Sequence, residues 1–177
     1  MEDSNLLLTY LATLLVLLSV AAVLVLQQVI KIRRVEGTLN RLQNKLAKQK
    51  GNAQEHYELG SLLLDKKLYS QAMVQLKQAL KVLEEDESEN AAIIYNALGF
   101  SYFAQEQYDL AIRQYKEALQ IAPEYVNALN NLGHSYERKQ LMTQALETYE
   151  ASLKYDPNNK TAKRRAESLR KRMVPSN

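Results

Sequence analysis

The side chains most often used in catalysis and metal binding are scarce in this chain of 177 residues. It has no cysteine and only two histidines, His56 and His134. The lack of cysteine excludes a disulfide framework, a thiolate metal site and a cysteine nucleophile, and two histidines argue against a multi-histidine metal site. The sequence also has no G-x-G-x-x-G motif and no P-loop, and neither histidine belongs to an evident nucleophile–acid constellation. We therefore predict a binding protein with no catalytic residues, no metal, no cofactor and no small-molecule substrate.

The charge is unevenly distributed along the chain. The total is +3, but residues 31–52 and residues 160–177 each carry seven basic side chains against one acidic one. Residues 53–159 carry nine basic and sixteen acidic side chains. A nucleic-acid-binding domain is expected to be basic itself, so an acidic centre between basic flanks argues against a nucleic-acid partner. The acidic run at 84–89 is interpreted as a solvated loop, with a docking patch for a basic partner as the alternative.

Small residues recur at fixed spacings through the centre of the chain. When Gly60, Gly99 and Gly133 are aligned, an alanine follows each glycine after twelve residues, and the last two glycines are 34 residues apart. This pattern resembles the tetratricopeptide repeat (TPR) family, whose period is about 34 residues. We therefore predict three TPR repeats. The repeats cover residues 53–86, 92–125 and 126–159.

The TPR resemblance implies an antiparallel pair of helices, A and B, in each repeat. Glycine on helix A and alanine on helix B remove side-chain bulk where the two helices cross. One helix pair cannot bury its apolar face alone, so three stacked pairs with a terminal cap are near the minimum for a stable solenoid. Residues 160–177 are predicted to supply that cap as a basic helix followed by a short tail.

The same resemblance implies a binding surface for peptides or protein segments, a concave groove lined mainly by the A helices. In this chain the central groove positions include Phe100 and Phe103, beside Asn96 and Asn130. Aromatic anchors flanked by amides suit an apolar peptide whose backbone needs hydrogen-bond partners. The predicted partner-binding residues are Tyr57, Ser61, Asn96, Phe100, Phe103, Asn130, His134 and Arg138.

Some of these residues also have a purely structural interpretation. Phe103 could pack between repeats, His134 could be an ordinary groove residue, and His56 falls at a position that normally packs inside the repeat. Chaperone-binding members of the family hold a terminal carboxylate with lysine, arginine and asparagine. Tyr57 and Ser61 occupy two of those positions here, which argues against a carboxylate clamp of that kind.

An apolar run lies near the N-terminus. Residues 6–26 contain no charged side chain, and a helix of this length measures about 31 Å, close to the ~30 Å of a membrane's hydrocarbon core. A cleaved signal peptide is the alternative, but such peptides begin with a basic segment, whereas this chain begins with acidic residues. We predict a retained transmembrane helix over residues 6–30, after a short lumenal or external N-terminus at 1–5.

The charges that follow the apolar run predict its orientation. Lys31, Arg33 and Arg34 come directly after it, and positive charge stays on the cytoplasmic side of a membrane. The repeats are therefore predicted on the cytosolic or stromal side. The complete prediction is an all-α fold with a single N-terminal transmembrane helix, a three-repeat TPR helical solenoid and a C-terminal capping helix.

Residues 31–52 are predicted to form a basic, amphipathic juxtamembrane helix that ends at Gly51 and Asn52. Its apolar residues recur at steps of three and four, which is the spacing of one helical stripe. Three roles stay open: contact with an anionic membrane surface, a short coiled coil that gives weak self-association, or a spacer docked on the next helix. The stripe consists of Ile32, Val35, Leu39, Leu42 and Leu46.

The resemblance extends over most of the chain. Segments at 53–72, 95–119, 128–140 and 163–172 are similar to those of the membrane-anchored, three-repeat TPR proteins of cyanobacteria and plastids that are associated with photosystem I assembly. This likeness implies a thylakoid protein whose partners are photosystem I subunits or assembly factors. The alternatives are a general bacterial membrane TPR scaffold in envelope assembly or protein quality control, and an organellar import receptor.

Overall fold

The computed structural model describes residues 2–83 and 88–173, and the side chains of residues 10–83 and 90–173. Most of the acidic run at 84–89 lies outside the described residues. Over the described ranges the regular secondary structure is helical, which confirms the predicted all-α class. The chain divides into two compact units, Met1–Ala47 and Lys48–Asn177. The helices are α1 (Glu2–Leu46), α2 (Ala53–Asp65), α3 (Tyr69–Lys81), α4 (Ser88–Ala104), α5 (Tyr108–Ile121), α6 (Val126–Arg138), α7 (Met142–Tyr155) and α8 (Lys160–Met173).

The first unit is one long helix. Helix α1 runs without a break through the predicted span and most of the predicted juxtamembrane segment, and it ends at Leu46 rather than at Gly51. Its stretch Tyr10–Leu46 has a mean hydropathy of 2.4 in its most apolar window, and the side chains of that window are exposed all around the helix. Among the described residues, this is the one helix long and apolar enough to cross a membrane.

Asn52 begins helix α2 instead of ending α1. Its side chain accepts a hydrogen bond from the backbone N–H of Glu55 at 2.9 Å, and the Glu55 carboxylate accepts one from the Asn52 N–H at 3.4 Å. This reciprocal pair is a capping box, which satisfies N–H groups that the first turn of a helix leaves without a partner. The second unit therefore starts at a defined helix terminus.

Helices α2 to α7 form three consecutive A–B pairs, α2 with α3, α4 with α5, and α6 with α7. Each B helix also packs against the A helix that follows it, and α8 packs against α7. The A helices contact one another as well, α2 with α4 and α4 with α6. A continuous A-helix surface therefore runs along the second unit, and it carries the predicted groove residues.

Close A–B crossings depend on a glycine in each A helix. A Cβ atom added to Gly99 would lie 2.6 Å from a ring carbon of Tyr115, nearer than real Cβ atoms approach any neighbour. Since Tyr115 is buried on α5, the ring occupies the space that a side chain at position 99 would need. The equivalent contacts pair Gly60 with Leu76 and Gly133 with Tyr149.

The three A–B turns share one backbone conformation. Each contains a non-glycine residue with a φ near +60°, and these residues are Lys67, Glu106 and Gln140. In the second turn the N–H of Gln107 donates to the carbonyl of Tyr102 at 3.0 Å, and the N–H of Glu106 donates to the carbonyl of Phe103 at 2.9 Å. These are the two hydrogen bonds of a Schellman motif at a helix C-terminus. Because each turn repeats this backbone geometry, helix B leaves the turn in the same direction relative to helix A in every repeat.

Helix α8 covers the end of the stack. Its Ala162, Ala166 and Leu169 are fully buried and belong to the same apolar cluster as Tyr149 of α7. The last pair is therefore not left with an open apolar face. Arginines on other faces of this helix reach carboxylates of the third repeat, for example Arg170 to Glu150 at 2.6 Å.

Candidate functional site

The A-helix groove presents exposed apolar side chains on α4. The side chain of Phe100 is 42% exposed, and its ring meets that of Tyr69 edge to face, with centroids 6.5 Å apart. Ile93, two turns earlier on the same helix, is exposed to a similar degree. Exposed aromatic and aliphatic side chains beside pockets are the usual anchors of protein–protein contacts.

Next to Ile93 lies a cavity of about 560 Å³. It is bounded by the start of α4, the end of α5 and the start of α6, and its walls are mainly apolar. A much smaller cavity of about 40 Å³, lined by Tyr57 among others, also borders Ile93. The larger cavity has room for an apolar side chain of a bound polypeptide. It is lined by Ala92, Ile93, Ile121, Ala122, Glu124, Tyr125 and Val126.

Asn96 belongs to a hydrogen-bond network that joins the second and third repeats. Its carbonyl oxygen accepts from the Asn131 amide at 3.0 Å, and its NH2 group donates to the Tyr125 hydroxyl at 3.4 Å. Burial, and secondarily Tyr57, raises the pKa of Tyr125 above its usual value. Tyr125 therefore keeps its proton at neutral pH, and that proton can be donated to a ligand. Tyr125 and Asn131 are not among the residues predicted from the sequence, although Tyr125 follows Pro123 where a new A helix begins.

The side-chain amide of Asn130 is hydrogen-bonded to the B helix of its own repeat. Its carbonyl oxygen accepts a hydrogen bond from the buried Ser152 hydroxyl of α7 at 2.9 Å. A bound polypeptide would therefore meet only the NH2 end of this amide. On α2, Tyr57 and Ser61 are one turn apart and half-buried, and Tyr57 packs against the apolar cluster that contains Leu76.

Phe103 lies between the second and third repeats. Its ring centroid is 4.7 Å from that of His134 on α6 and 5.4 Å from that of Tyr108 on α5. The ring also packs against the main apolar cluster of the second unit. This geometry favours the structural interpretation of Phe103 as a residue packed between repeats, with part of the ring exposed. His56 is buried, and its Nδ1 lies 2.9 Å from the Gln75 amide oxygen.

Beyond Phe103 the groove becomes charged. Glu137 has a side chain only 9% exposed; it accepts a hydrogen bond from the Tyr149 hydroxyl at 2.7 Å and pairs with Arg165 of α8 at 3.4 Å. A second arginine of α8, Arg172, lies 3.8 Å from the same carboxylate. Neither arginine is predicted in the groove from the sequence, because no repeat pattern extends into α8.

The remaining predicted residues, His134 and Arg138, are one turn apart on α6. Burial lowers the pKa of His134, and the nearby Arg165 and Arg138 lower it further, while Glu137 opposes them. The Arg138 guanidinium lies over the Tyr108 ring, 5.1 Å from its centroid. His134 is therefore neutral at physiological pH and stands in a positive local field.

No group of three or more histidine, aspartate or glutamate side chains that could hold a metal occurs within residues 2–83 and 88–173. The groove offers apolar pockets, amides and arginines. Helix pairs that stack in sequence and present a continuous surface of A helices define a helical-repeat protein of the α-solenoid class.

Comparisons with known proteins identify the kind of repeat. Residues 99–140 match the TPR repeat profile, and residues 126–159 match a second tetratricopeptide repeat profile. The chain is 39% identical over 142 residues to ycf37 of Cyanophora paradoxa, covering 79% of this chain and 81% of that protein. It is 34% identical over 165 residues to ycf37 of Guillardia theta, covering 93% of each. The chain belongs to the tetratricopeptide repeat family, in the group that includes ycf37, as its sequence predicted.

A third relative is longer. The chain is 38% identical over 166 residues to the tetratricopeptide repeat domain-containing protein PYG7, chloroplastic, of Arabidopsis thaliana. The match covers 94% of this chain but only 55% of that protein.

Solved structures confirm the TPR fold. MamA superposes with a TM-score of 0.71 at 21% identity, covering 77% of each chain. YrrB, described as a TPR protein with an unusual peptide-binding site, superposes with a TM-score of 0.66 at 20% identity, covering 80% of this chain and 71% of that one. TPR domains are protein-interaction domains rather than enzymes, and this chain is accordingly a protein-binding TPR protein.

Proposed function

We propose that this protein is a membrane-anchored adaptor whose A-helix groove binds segments of other polypeptides and which assists photosystem I assembly or stability at the thylakoid. Two exposed apolar side chains of α4 carry the proposal: Ile93, which lines a cavity of about 560 Å³, and Phe100, two turns further along the helix. Water-exposed apolar side chains next to a pocket are stabilised when a partner covers them. The amide of Asn96 and the hydroxyl of Tyr125 supply nearby hydrogen-bonding groups for the partner's backbone.

The anchor is helix α1. Its exposed leucine and valine side chains would be costly in water, and a hydrocarbon environment removes that cost. Lys31, Arg33 and Arg34 follow the apolar stretch and favour a cytosolic or stromal position for the repeats. An anchor also concentrates the groove near membrane partners, so a weak groove contact is sufficient for stable association.

The photosynthetic part of the proposal rests on likeness. The segments at 53–72, 95–119, 128–140 and 163–172 resemble TPR proteins associated with photosystem I assembly, and the Arabidopsis relative is named as a chloroplastic protein. Photosystem I subunits and assembly factors are therefore the partners that we propose.

Affinity capture from solubilised thylakoid membranes tests the proposal. We expect the wild-type chain to recover photosystem I subunits or assembly factors, and Phe100→Ala to recover about tenfold less, because loss of an aromatic anchor commonly costs more than ~1 kcal/mol of binding. Tyr155→Ala is the matched control, since Tyr155 is an exposed aromatic residue at the end of a B helix.

The outcomes of this capture separate the two parts of the proposal. Equal recovery by wild type and Phe100→Ala would contradict the groove as the binding surface. Recovery of envelope-assembly or quality-control proteins in place of photosystem I components would contradict the photosynthetic role and leave a general membrane TPR scaffold.

A further inference from the structure

Three arginines lie around His134 and Glu137 at the C-terminal end of α6, and we call Arg138, Arg165 and Arg172 the arginine subsite. Arg138 belongs to α6, whereas Arg165 and Arg172 belong to the capping helix. The latter two approach the Glu137 carboxylate at 3.4 and 3.8 Å. The capping helix thus contributes side chains to the groove in addition to closing the apolar core.

The positive charge of the arginine subsite is only partly balanced. Among the described residues, Glu137 faces Arg165 and Arg172, and Glu106 approaches Arg138 at 3.8 Å from an exposed position. Charge-assisted hydrogen bonds usually measure about 2.7–2.9 Å, so all three ion pairs are loose. Each guanidinium has five N–H donors. Arg172 also donates to the carbonyl and the hydroxyl of Ser168, so Arg138 and Arg165 are the main donors for an incoming anion.

The three arginine side chains are also accessible. They are between 36% and 55% exposed, while the Glu137 carboxylate that faces Arg165 and Arg172 is nearly buried. The neutral His134 ring and the Phe103 ring lie beside them, 4.7 Å apart. An anion that enters from the groove therefore meets exposed guanidinium groups and an aromatic wall, and it competes with Glu137 for Arg165 and Arg172.

From this geometry we infer that the arginine subsite binds a carboxylate side chain of the partner polypeptide, further along the groove than the apolar residue held near Phe100. This inference rests on the proposed function, because it assumes a polypeptide in the groove. Charge complementarity favours an acidic segment, and the aromatic wall favours a side chain that extends from a peptide. The predicted partner segment combines apolar and acidic residues, and its acidic end lies against the capping helix.

The test measures binding of two labelled peptides to the full-length protein in neutral detergent micelles. One peptide alternates leucine and glutamate, and the other has glutamine in place of every glutamate. We expect the glutamate peptide to bind about tenfold more tightly, because hydrogen bonds to charged groups contribute more than those between neutral groups. Arg138→Gln and Arg165→Gln should each remove most of that preference.

Arg170→Gln is the matched control. It removes the same charge from the same helix as Arg165→Gln, but Arg170 pairs with Glu150 and does not approach Glu137. The control should keep the wild-type preference. Glu137→Gln, which removes the internal competitor, should strengthen binding of the glutamate peptide. Circular dichroism identifies any variant that unfolds. If Arg165→Gln unfolds, Arg138→Gln still tests the inference, because Arg138 has an exposed side chain on α6.

Equal affinity of the wild-type protein for the two peptides would overturn the inference. An equal loss of preference in Arg170→Gln and Arg138→Gln would do the same, because it would show general attraction to a basic helix. If both peptides bind equally and Phe100→Ala weakens both, the arginine subsite is wrong and the groove stands. If phosphatidylglycerol added to the micelles abolishes the glutamate preference, the arginines bind lipid and the inference fails.

Discussion

At the scale of single residues, the A–B crossings leave the least tolerance for change. Gly99 lies against the ring of Tyr115, which cannot bend away in the way that an aliphatic side chain can. Gly60 faces Leu76 at a similar crossing, but there the nearest atoms are the branched end of a flexible side chain. The equivalent glycine position therefore tolerates an added side chain differently in different repeats.

We predict that Gly99→Ala lowers the free energy of unfolding by about 1–3 kcal/mol, because overpacking against a buried ring outweighs the gain in helix propensity. Gly60→Ala should lower it by less. Denaturant unfolding of the full-length protein in detergent, followed by circular dichroism, measures both. A stabilised Gly99→Ala variant would contradict the close approach to Tyr115.

His134 makes stability depend on pH in a defined direction. Its pKa is lowered in the folded protein, mainly by burial and then by Arg165. Around the ordinary histidine pKa of about 6.5 the unfolded chain then binds more protons than the folded one, so stability falls as pH drops through and below that value.

We expect His134→Gln to reduce the loss of stability on acidification. Melting temperatures of wild type and variant, measured from neutral pH down to mildly acidic pH, test this expectation. Parallel curves for the two proteins would contradict it, because other titrating groups would then account for the whole effect.

At the scale of elements, the A–B turns contain strain that a single substitution can relieve. Gln140 has a φ of 61°, a conformation that costs an L-residue roughly 1–2 kcal/mol and a glycine little. Its neighbour Leu141 donates to the Tyr136 carbonyl at 2.9 Å through its backbone N–H, and that hydrogen bond does not involve the side chain at position 140.

Gln140→Gly should therefore raise the free energy of unfolding by about 0.5–1 kcal/mol, after allowance for the greater freedom of glycine in the unfolded chain. Gln144→Gly, the same change inside helix α7, should lower it by about as much. Changes of opposite sign in the free energy of unfolding, measured by denaturant titration of the two variants, support the left-handed conformation at position 140. Destabilisation by both substitutions would contradict it.

Element boundaries also show where local sequence was misleading. Gly51 and Asn52 were interpreted as a helix end, whereas Asn52 and Glu55 cap the start of α2. The N-x-x-E spacing carried that information, because a capping residue followed by glutamate three positions later is a helix-start signal. The preceding helix ends at Leu46 without needing either residue.

At the scale of the whole molecule, each of the two compact units is a distinct structure. Unit Met1–Ala47 is a single helix, and unit Lys48–Asn177 contains the helix pairs and their apolar core. Because this core cluster lies within the second unit, we expect its stability not to depend on the apolar stretch of α1.

Deletion of residues 1–30 should therefore leave the repeats folded and release the protein from membranes. Fractionation of cells that express the shortened chain, with circular dichroism of the purified product, provides the measurement. If the shortened protein stays with the membrane fraction, the segment at 31–50 binds lipid itself and the proposed anchor is incomplete. If it unfolds, the two units are not independent.

The sequence by itself determined the helix pairs and the apolar N-terminal helix. Glycine, alanine and apolar residues at fixed offsets act within one repeat, and twenty-one consecutive uncharged residues at 6–26 act within one helix, so both features are local and can be detected in a single chain. Only the tertiary structure decided which groove side chains are engaged. Asn96 meets Asn131 across 35 positions, and Glu137 meets Arg165 across 28. Such pairs form because stacked helices bring distant residues together, and no spacing along the chain encodes which side chains will face each other.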